Sequence, residues 1–351
     1  MNARSLIALV ATALMGCADT GKQDAFLRHT YSQLLADYAH VVDSAEAVLE
    51  SVQQFCDSPA VDRQRASQAA FERLALAFGR VEWLRRGRIA IDHRYERLFY
   101  WPDRGGRGRR ALVRLLDSDE LKTLSDAALA KKSVALQGLP ALEYLLYGEA
   151  LIPGETLNGE RCRLAELVAQ RIAATSREVS ADWADAGDLR SALAEGQEKV
   201  LTRDRALSVT LQSAAVALEV AADQKIAPAA SQSAESARPG LAPLAMSGHT
   251  VGAMLATIAA LDDLFRGPFQ DMLPEASRYA GDALLRELQQ ITTHLVVLDG
   301  VGSWAVAVSD ATHHRRLLYV RQPMLAAKVQ LEQSLSPALG LVRGFNSADG
   351  D

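Results

Sequence analysis

The stretch Ala25 to Cys56, AFLRHTYSQLLADYAHVVDSAEAVLESVQQFC, decides the fold class. Tyr31, Leu35, Tyr38, Val42, Ala45, Leu49, Val52 and Cys56 recur at alternating spacings of four and three, with largely polar residues between them. A helix places such positions on one side, so the pattern predicts a long helix with a heptad seam. A seam of this kind is buried against antiparallel neighbours in a helical bundle; a two-chain coiled coil is the alternative. Asp57-Ser58-Pro59 closes the helix and opens a second, from about Val61 to Arg86. Phe71, Leu74, Phe78 and Val81 form its inner face.

Outward from these two helices the chain keeps the same period. Asp19 to Asp24 reads as a polar tether. Short helices are expected at Ala111–Leu116 and from Ser118, and longer ones at Gly159–Trp183 and Leu189–Ile226, the latter bent near Thr202. Pro228 to Pro243 is rich in Ala, Ser and Pro and reads as an exposed connection. Further helices follow at Thr250–Phe265, entered through Ser247-Gly248-His249, then at Glu275–Leu298, Trp304–Val320 and Pro323–Leu335, with a turn over Pro268–Leu273. No run alternates with period two over several strands. The expected architecture is all-α, with two tandem helical bundles over residues 18–190 and 191–351, a layout that an internal duplication would produce.

Length and composition agree with this. The chain has 351 residues, 49% of them hydrophobic, enough for one large core or two smaller ones. Its 38 basic and 43 acidic residues leave a net charge of -5, with none of the basic excess that a nucleic-acid surface needs. Residues 1–17 read as a lipoprotein signal peptide. Arg4 precedes an apolar run, Leu6 to Met15, too short to span a bilayer comfortably. The run ends in Leu14-Met15-Gly16-Cys17, which resembles a lipobox with Cys17 as the lipidated residue. An ordinary secretory signal with an incidental cysteine is the alternative. Ala18 after Cys17 points to the outer membrane, facing the periplasm. With Cys17 lipidated, Cys56 and Cys162 remain, and an even remainder in an oxidising compartment suggests a disulfide. Closing that loop would contribute about 4 to 5 kcal/mol in the chain-entropy view. Two unpaired buried thiols are the alternative.

The most informative segment for function is Gly138-Leu139-Pro140-Ala141-Leu142-Glu143-Tyr144-Leu145-Leu146-Tyr147-Gly148. Pro140 is tolerated in the first turn of a helix, and Gly148 suits its end, so a short helix near Pro140 to Gly148 is expected. Glu143 sits among Leu142, Leu145 and Leu146. It must point away from the core or find a partner inside it. This segment resembles the signature of the imelysin-like family, Gly-x-His-x-x-Glu, with Gly138 and Glu143 matching and Pro140 at the histidine position. Arg94-Tyr95-Glu96-Arg97-Leu98-Phe99-Tyr100-Trp101-Pro102-Asp103 and the tail from Leu339 to Asp351 extend the resemblance over nearly the whole mature chain. The resemblance implies an all-helical envelope protein of two bundles, linked to iron uptake and classed with metallopeptidases. Pro140 removes the motif's nitrogen ligand.

The chemistry left to weigh is sparse. No His-Glu-x-x-His zinc motif, Gly-x-Ser-x-Gly elbow or phosphate loop occurs. His93 and Glu96 have the i, i+3 spacing that shares a helix face. With Glu143 they form the candidate metal set, for a divalent metal or iron. Asp310 with His314, His313 and His249 read as surface or capping residues. Glu143, Glu82, Arg85, Arg94, Glu96 and Arg97 are the candidate ligand-binding residues, because carboxylates suit hard cations and arginine suits carboxylate or phosphate. Basic residues in a helix's last turn complement its dipole, which is the structural account of Arg85 and its neighbours. The turn-rich basic loop Pro102 to Arg110 is either a recognition loop or a plug over one bundle end. The functional expectation is a non-catalytic, envelope-anchored binding protein for iron, another metal or a small molecule. The alternative is a metal-dependent peptidase, and a third reading is a structural partner of an outer-membrane transport protein.

Overall fold

The computed structural model describes residues 20–148 and 159–341. The lipobox, the Ile152-Pro153-Gly154 turn and the tail from residue 342 lie outside the described residues. Helix α1 runs Thr20–Asp57 and, at 38 residues, is about 57 Å long. It begins where the polar tether was expected: Gln23 is buried, and Asp24 accepts two hydrogen bonds from Arg203, at 2.7 and 3.1 Å. The heptad is real, but its centre is turned. Tyr38, Ala45 and Val52 are fully buried as expected, together with Leu34, Val41, Val48 and Phe55. Leu35, Val42 and Leu49, one position on, are half-buried at the edge. The helix packs against two neighbours at once, which widens the buried stripe beyond a single seam.

Helix α2, Val61–Val81, returns antiparallel to α1 and ends five residues before the expected stop. Glu82 caps it, its N–H donating to the Phe78 carbonyl. Arg86 is extended, and Gly87 (φ 72°) lies so close to the Ala192 carbonyl that a Cβ there would stand 2.4 Å from it. That backbone contact takes the chain out of the helix. Short elements follow: α3 (Arg94–Leu98), α4 (Arg107–Leu116), α5 (Asp126–Leu129) and α6 (Gly138–Tyr147). Helix α7, Gly159–Ala186, then lies antiparallel on α1. The disulfide between Cys56 and Cys162, 106 residues apart, joins the end of α1 to the start of α7.

The second half opens with one turn, α8 (Leu189–Ala192), and then an irregular stretch. The single bent helix expected from Leu189 is therefore broken. Thr202 starts a new helix by accepting the Arg205 N–H. That helix, α9 (Arg203–Glu219), continues through a π turn, Val220–Ile226, into α10 (Ala227–Ala230). It is apolar and long enough to cross a membrane, but 67% of its most apolar window is buried inside the protein, as in a core helix. The expected exposed connection after it is partly inside: Ala229, Ala230 and Ala242 are buried, and the Pro239 carbonyl accepts the Trp304 indole N–H at 2.9 Å. Next come α11 (Thr250–Phe265), α12 (Pro268–Met272, expected as a turn), α13 (Arg278–Asp299) and α14 (Trp304–Ser309). The chain closes with α15 (Ala311–Gln330), a π turn and α16 (Ser336–Ala338). The break between the last long helices falls at Asp310, not Pro323. The Asp310 carboxylate accepts the Thr312 and His313 N–H groups and starts α15, and Pro323 lies inside that helix, buried.

No strand occurs among the described residues. Helices α1, α2, α6 and α7 pack together, as do α9, α13 and α15, and α11 packs on both α2 and α13. At that seam a Cβ on Gly79 would be 2.6 Å from the Ala253 carbonyl, and the Thr257 hydroxyl donates to the Gly79 carbonyl at 2.8 Å. Arg80 bridges Asp37 on α1 and Asp263 on α11, at 2.6 and 2.8 Å. One continuous apolar core runs through both groups.

A cleft at Glu143

Helix α6 is held by its ends. Gly138 adopts φ 76°, and a Cβ there would stand 2.4 Å from the Leu98 carbonyl oxygen and 2.5 Å from that of Arg97. Only glycine permits that approach to α3. At the other end Arg161, beside the disulfide, donates to the Leu145 carbonyl at 2.8 Å and to that of Tyr144. These contacts satisfy carbonyls that a helix terminus leaves open.

The helix so fixed forms one wall of a cleft of about 190 Å³. Pro140, Ala141, Glu143 and Tyr144 line it from α6. Tyr100 and Trp101 line it from just before the basic loop, Asp103 from the loop and Arg109 from α4, and 240–246 closes it from the second half. Glu143 is 3% exposed. Its Oε1 accepts both the N–H and the hydroxyl of Ser247, each at 2.8 Å. Burial pushes the Glu143 carboxyl up, and hydrogen bonds from Ser247 and Met246 pull it only partly back, so its pKa stands above the ordinary 4.5. The segment that delivers Ser247 includes Leu244 at φ 57°, a left-handed conformation costly for a leucine. It is tied down by the Thr250 hydroxyl donating to the Pro243 carbonyl at 2.7 Å.

The Arg109 guanidinium, which lines the cleft, and that of Arg161, which does not, each lie over the Tyr144 ring, 5.3 and 5.2 Å from its centre. Asp103 is committed to structure: its two oxygens accept the Gly108 and Arg109 N–H groups at 2.9 and 3.0 Å, anchoring the start of α4. The Trp101 indole donates to the Leu241 carbonyl at 3.2 Å, linking the two sides. Arrayed this way, the cleft offers aromatic faces, a guanidinium and one buried carboxyl.

The other expected ligand-binding residues do not join Glu143. Glu82 is also buried, 4% exposed, but it faces a cavity of about 10 Å³, room for about one water. Its Oε2 accepts from the Lys225 ammonium at 2.6 Å and its Oε1 from Arg85 at 2.8 Å, and the Tyr95 hydroxyl stands 3.4 Å away. Burial pushes the Glu82 carboxyl up, but the Lys225 and Arg85 cations outweigh it, and its pKa lies below the ordinary 4.5. Arg85 also lies 4.6 Å over the Tyr95 ring. This is a closed ion cluster in place of the expected ligand site, because Lys225 on the π turn fills the space beside the carboxylate. Arg94 pairs with Asp182 on α7 at 2.6 Å. Arg97 is half-buried, and its carbonyl abuts Gly138.

The expected metal set of Glu143, His93 and Glu96 is not assembled. His93 and Glu96 face each other at 3.9 Å with side chains 82% and 48% exposed. Among the described residues, no group of three or more His, Cys, Asp or Glu side chains is placed to hold a metal ion. At the cleft the reason is specific: Pro140 stands where a nitrogen ligand would be, Asp103 is spent on α4, and Oε1 of Glu143 is occupied. These residues do not fit a resident metal centre.

Sequence reasoning missed Ser247, Tyr144, Arg109 and the covering segment 240–246. By local pattern Ser247 reads only as a helix opening, and of the covering segment only 240–243 falls in the expected connection Pro228 to Pro243. A buried glutamate needing a donor was the available signal, but nothing local says that the donor lies 104 residues away.

The imelysin family model matches residues 34–316, and the chain belongs to that family. Two solved structures share the fold. An imelysin-like protein from Psychrobacter arcticum 273-4 has a TM-score of 0.77 at 18% identity, covering 93% of this chain and 98% of its own. A candidate iron-regulated protein A precursor from Parabacteroides distasonis ATCC 8503 has a TM-score of 0.69 at 12% identity, covering 89% and 95%. No curated protein matches the chain.

Proposed function

We propose that this imelysin-family chain is a non-catalytic binding protein of the bacterial envelope, held to the outer membrane by a lipid on Cys17, whose Glu143 cleft takes a small ligand in the service of iron uptake. The observation that carries this reading is the Glu143 carboxyl, buried in the wall of a 190 Å³ cleft and oriented by Ser247. A pre-oriented buried carboxyl in a partly aromatic cleft is an arrangement suited to binding. Iron enters through the name of the Parabacteroides neighbour and the family. Because the cleft lacks the donors for a bare ion, the cargo is iron already wrapped in a small organic chelator. The chelator's polar edge would meet Glu143 and Arg109, and its flat faces Trp101 and Tyr144. Peptidase chemistry at zinc uses three protein ligands and an open position, and Pro140 and Asp103 supply none.

The test is calorimetry on the chain from Ala18 onward, with ferric citrate, citrate alone and zinc chloride as probes. Saturable one-to-one uptake of ferric citrate is expected, weakened at least about tenfold in Glu143→Gln with helical circular dichroism unchanged; tenfold is 1.4 kcal/mol, the scale of one hydrogen bond to a charged group. No uptake of ferric citrate by the native chain, or equal affinity in the variant, would reject this reading. Zinc-dependent cleavage of a peptide library would establish the peptidase instead.

A further inference from the structure

We infer that the arginine face of α4 is a docking surface for anionic lipid headgroups. Arg107, Arg110 and Arg114 stand at i, i+3 and i+7 of α4, a spacing that sets them on one stripe, and Arg104 precedes them from the entering turn. All four are exposed, while Gly108, Leu112 and Leu115 on the inner side are buried. Arg110 donates to the Gly105 carbonyl, and among the described residues none of the four forms an ion pair. Arg80, Arg94, Arg171, Arg177, Arg203 and Arg321 elsewhere each hold a carboxylate. Asp117, exposed at the C-terminal cap of α4, offsets one of the four charges, whereas Asp119 and Glu120 beyond it are taken by Lys122 and Lys132 at 2.6 and 2.7 Å, so the stripe stays cationic.

A cationic stripe on a chain of net charge -5 is a local device. Its occupant must present many negative charges in one plane. Clusters of four or more basic side chains on an amphipathic helix bind anionic lipid surfaces, each contributing additively near the surface. The inference does not depend on what the cleft binds.

The experiment is cosedimentation of the chain from Ala18 onward with vesicles of equal parts phosphatidylglycerol and phosphatidylcholine, and with phosphatidylcholine alone. Binding to the anionic vesicles only is expected, and it should vanish in about 0.5 M salt through screening. The quadruple variant Arg104→Gln, Arg107→Gln, Arg110→Gln, Arg114→Gln should bind about a thousand-fold more weakly. The matching variant with four lysines should retain binding, with helical circular dichroism unchanged in both. Failure to bind anionic vesicles, equal binding to neutral ones, or full binding by the glutamine variant would overturn the inference. Competition by polyglutamate as effective as by the vesicles would also overturn it, by assigning the face to an acidic polypeptide.

Discussion

Glu82, at the end of α2, and Glu143, within α6, are both buried glutamates, 4% and 3% exposed, and their carboxyls are displaced in opposite directions. Burial pushes both up. At Glu82 two cations within 2.8 Å reverse the effect; at Glu143 the hydrogen-bond donors are neutral groups and the upward shift survives. The difference separates a closed ion cluster from a carboxyl that lines a cleft. The Glu82 cluster has satisfied its charge internally and closed around a space of one water. The Glu143 carboxyl is held by neutral donors alone and lines a cleft of about 190 Å³.

The largest expected effect comes from opening the closed cluster. Lys225→Met leaves Glu82 with Arg85 alone and should destabilise the protein by about 3 kcal/mol or more, as broken buried pairs do. Urea unfolding would measure it. Replacing both partners, Glu82→Leu with Lys225→Leu, should recover most of that loss, and a double variant as unstable as the single one would mean that the cluster does more than fill space. The sign of the pH dependence follows from the downward shift. The Glu82 contribution is present above its ordinary 4.5 and is lost as pH falls through its lower folded value.

Next is the scaffold of the cleft. Gly138→Ala meets both a left-handed backbone and two carbonyl oxygens within 2.5 Å, and should cost about 2 to 4 kcal/mol, read as a lower melting temperature. Ser247→Ala removes one donor from Glu143 and leaves the backbone N–H. A loss of about 1 to 3 kcal/mol is expected, with the Glu143 carboxyl titrating still higher, as carbon-13 NMR of the carboxyl would show. The smallest effect, and the sharpest for the comparison, belongs to Glu143→Gln. A raised folded pKa means that the stability tied to Glu143 is fully present below 4.5 and falls as pH rises through the raised value. The glutamine variant lacks that fall. Its stability should gain on the native chain from pH 4.5 up to the raised folded value and then run parallel, whereas Glu82→Gln should lose ground from the lowered folded value up to 4.5. Curves of the same sign for the two variants would erase the distinction.

Local periodicity made much of the fold legible. The heptad in α1, the inner row of α2 and the all-helical class follow from spacing alone, because the 3.6-residue turn is a property of adjacent residues. The pairing of Cys56 with Cys162 followed from counting cysteines. Gly138 and Glu143 were found through the family signature, and the structure supplies reasons for both in the contact with α3 and the bond to Ser247. What spacing could not decide was anything set by partners distant along the chain. The row of α1 at the centre of the core shifted by one position because α2 and α7 press on it together. Glu82 became structural because Lys225, 143 residues away, arrives on a π turn. The stretch read as a connection became the wall of the cleft because its carbonyls and Ser247 meet Trp101, Trp304 and Glu143. A sequence alone determines which local shapes its residues prefer, whereas a buried carboxyl takes its character from whichever charge or dipole the topology brings within 3 Å. Only the tertiary structure decided that for these two glutamates.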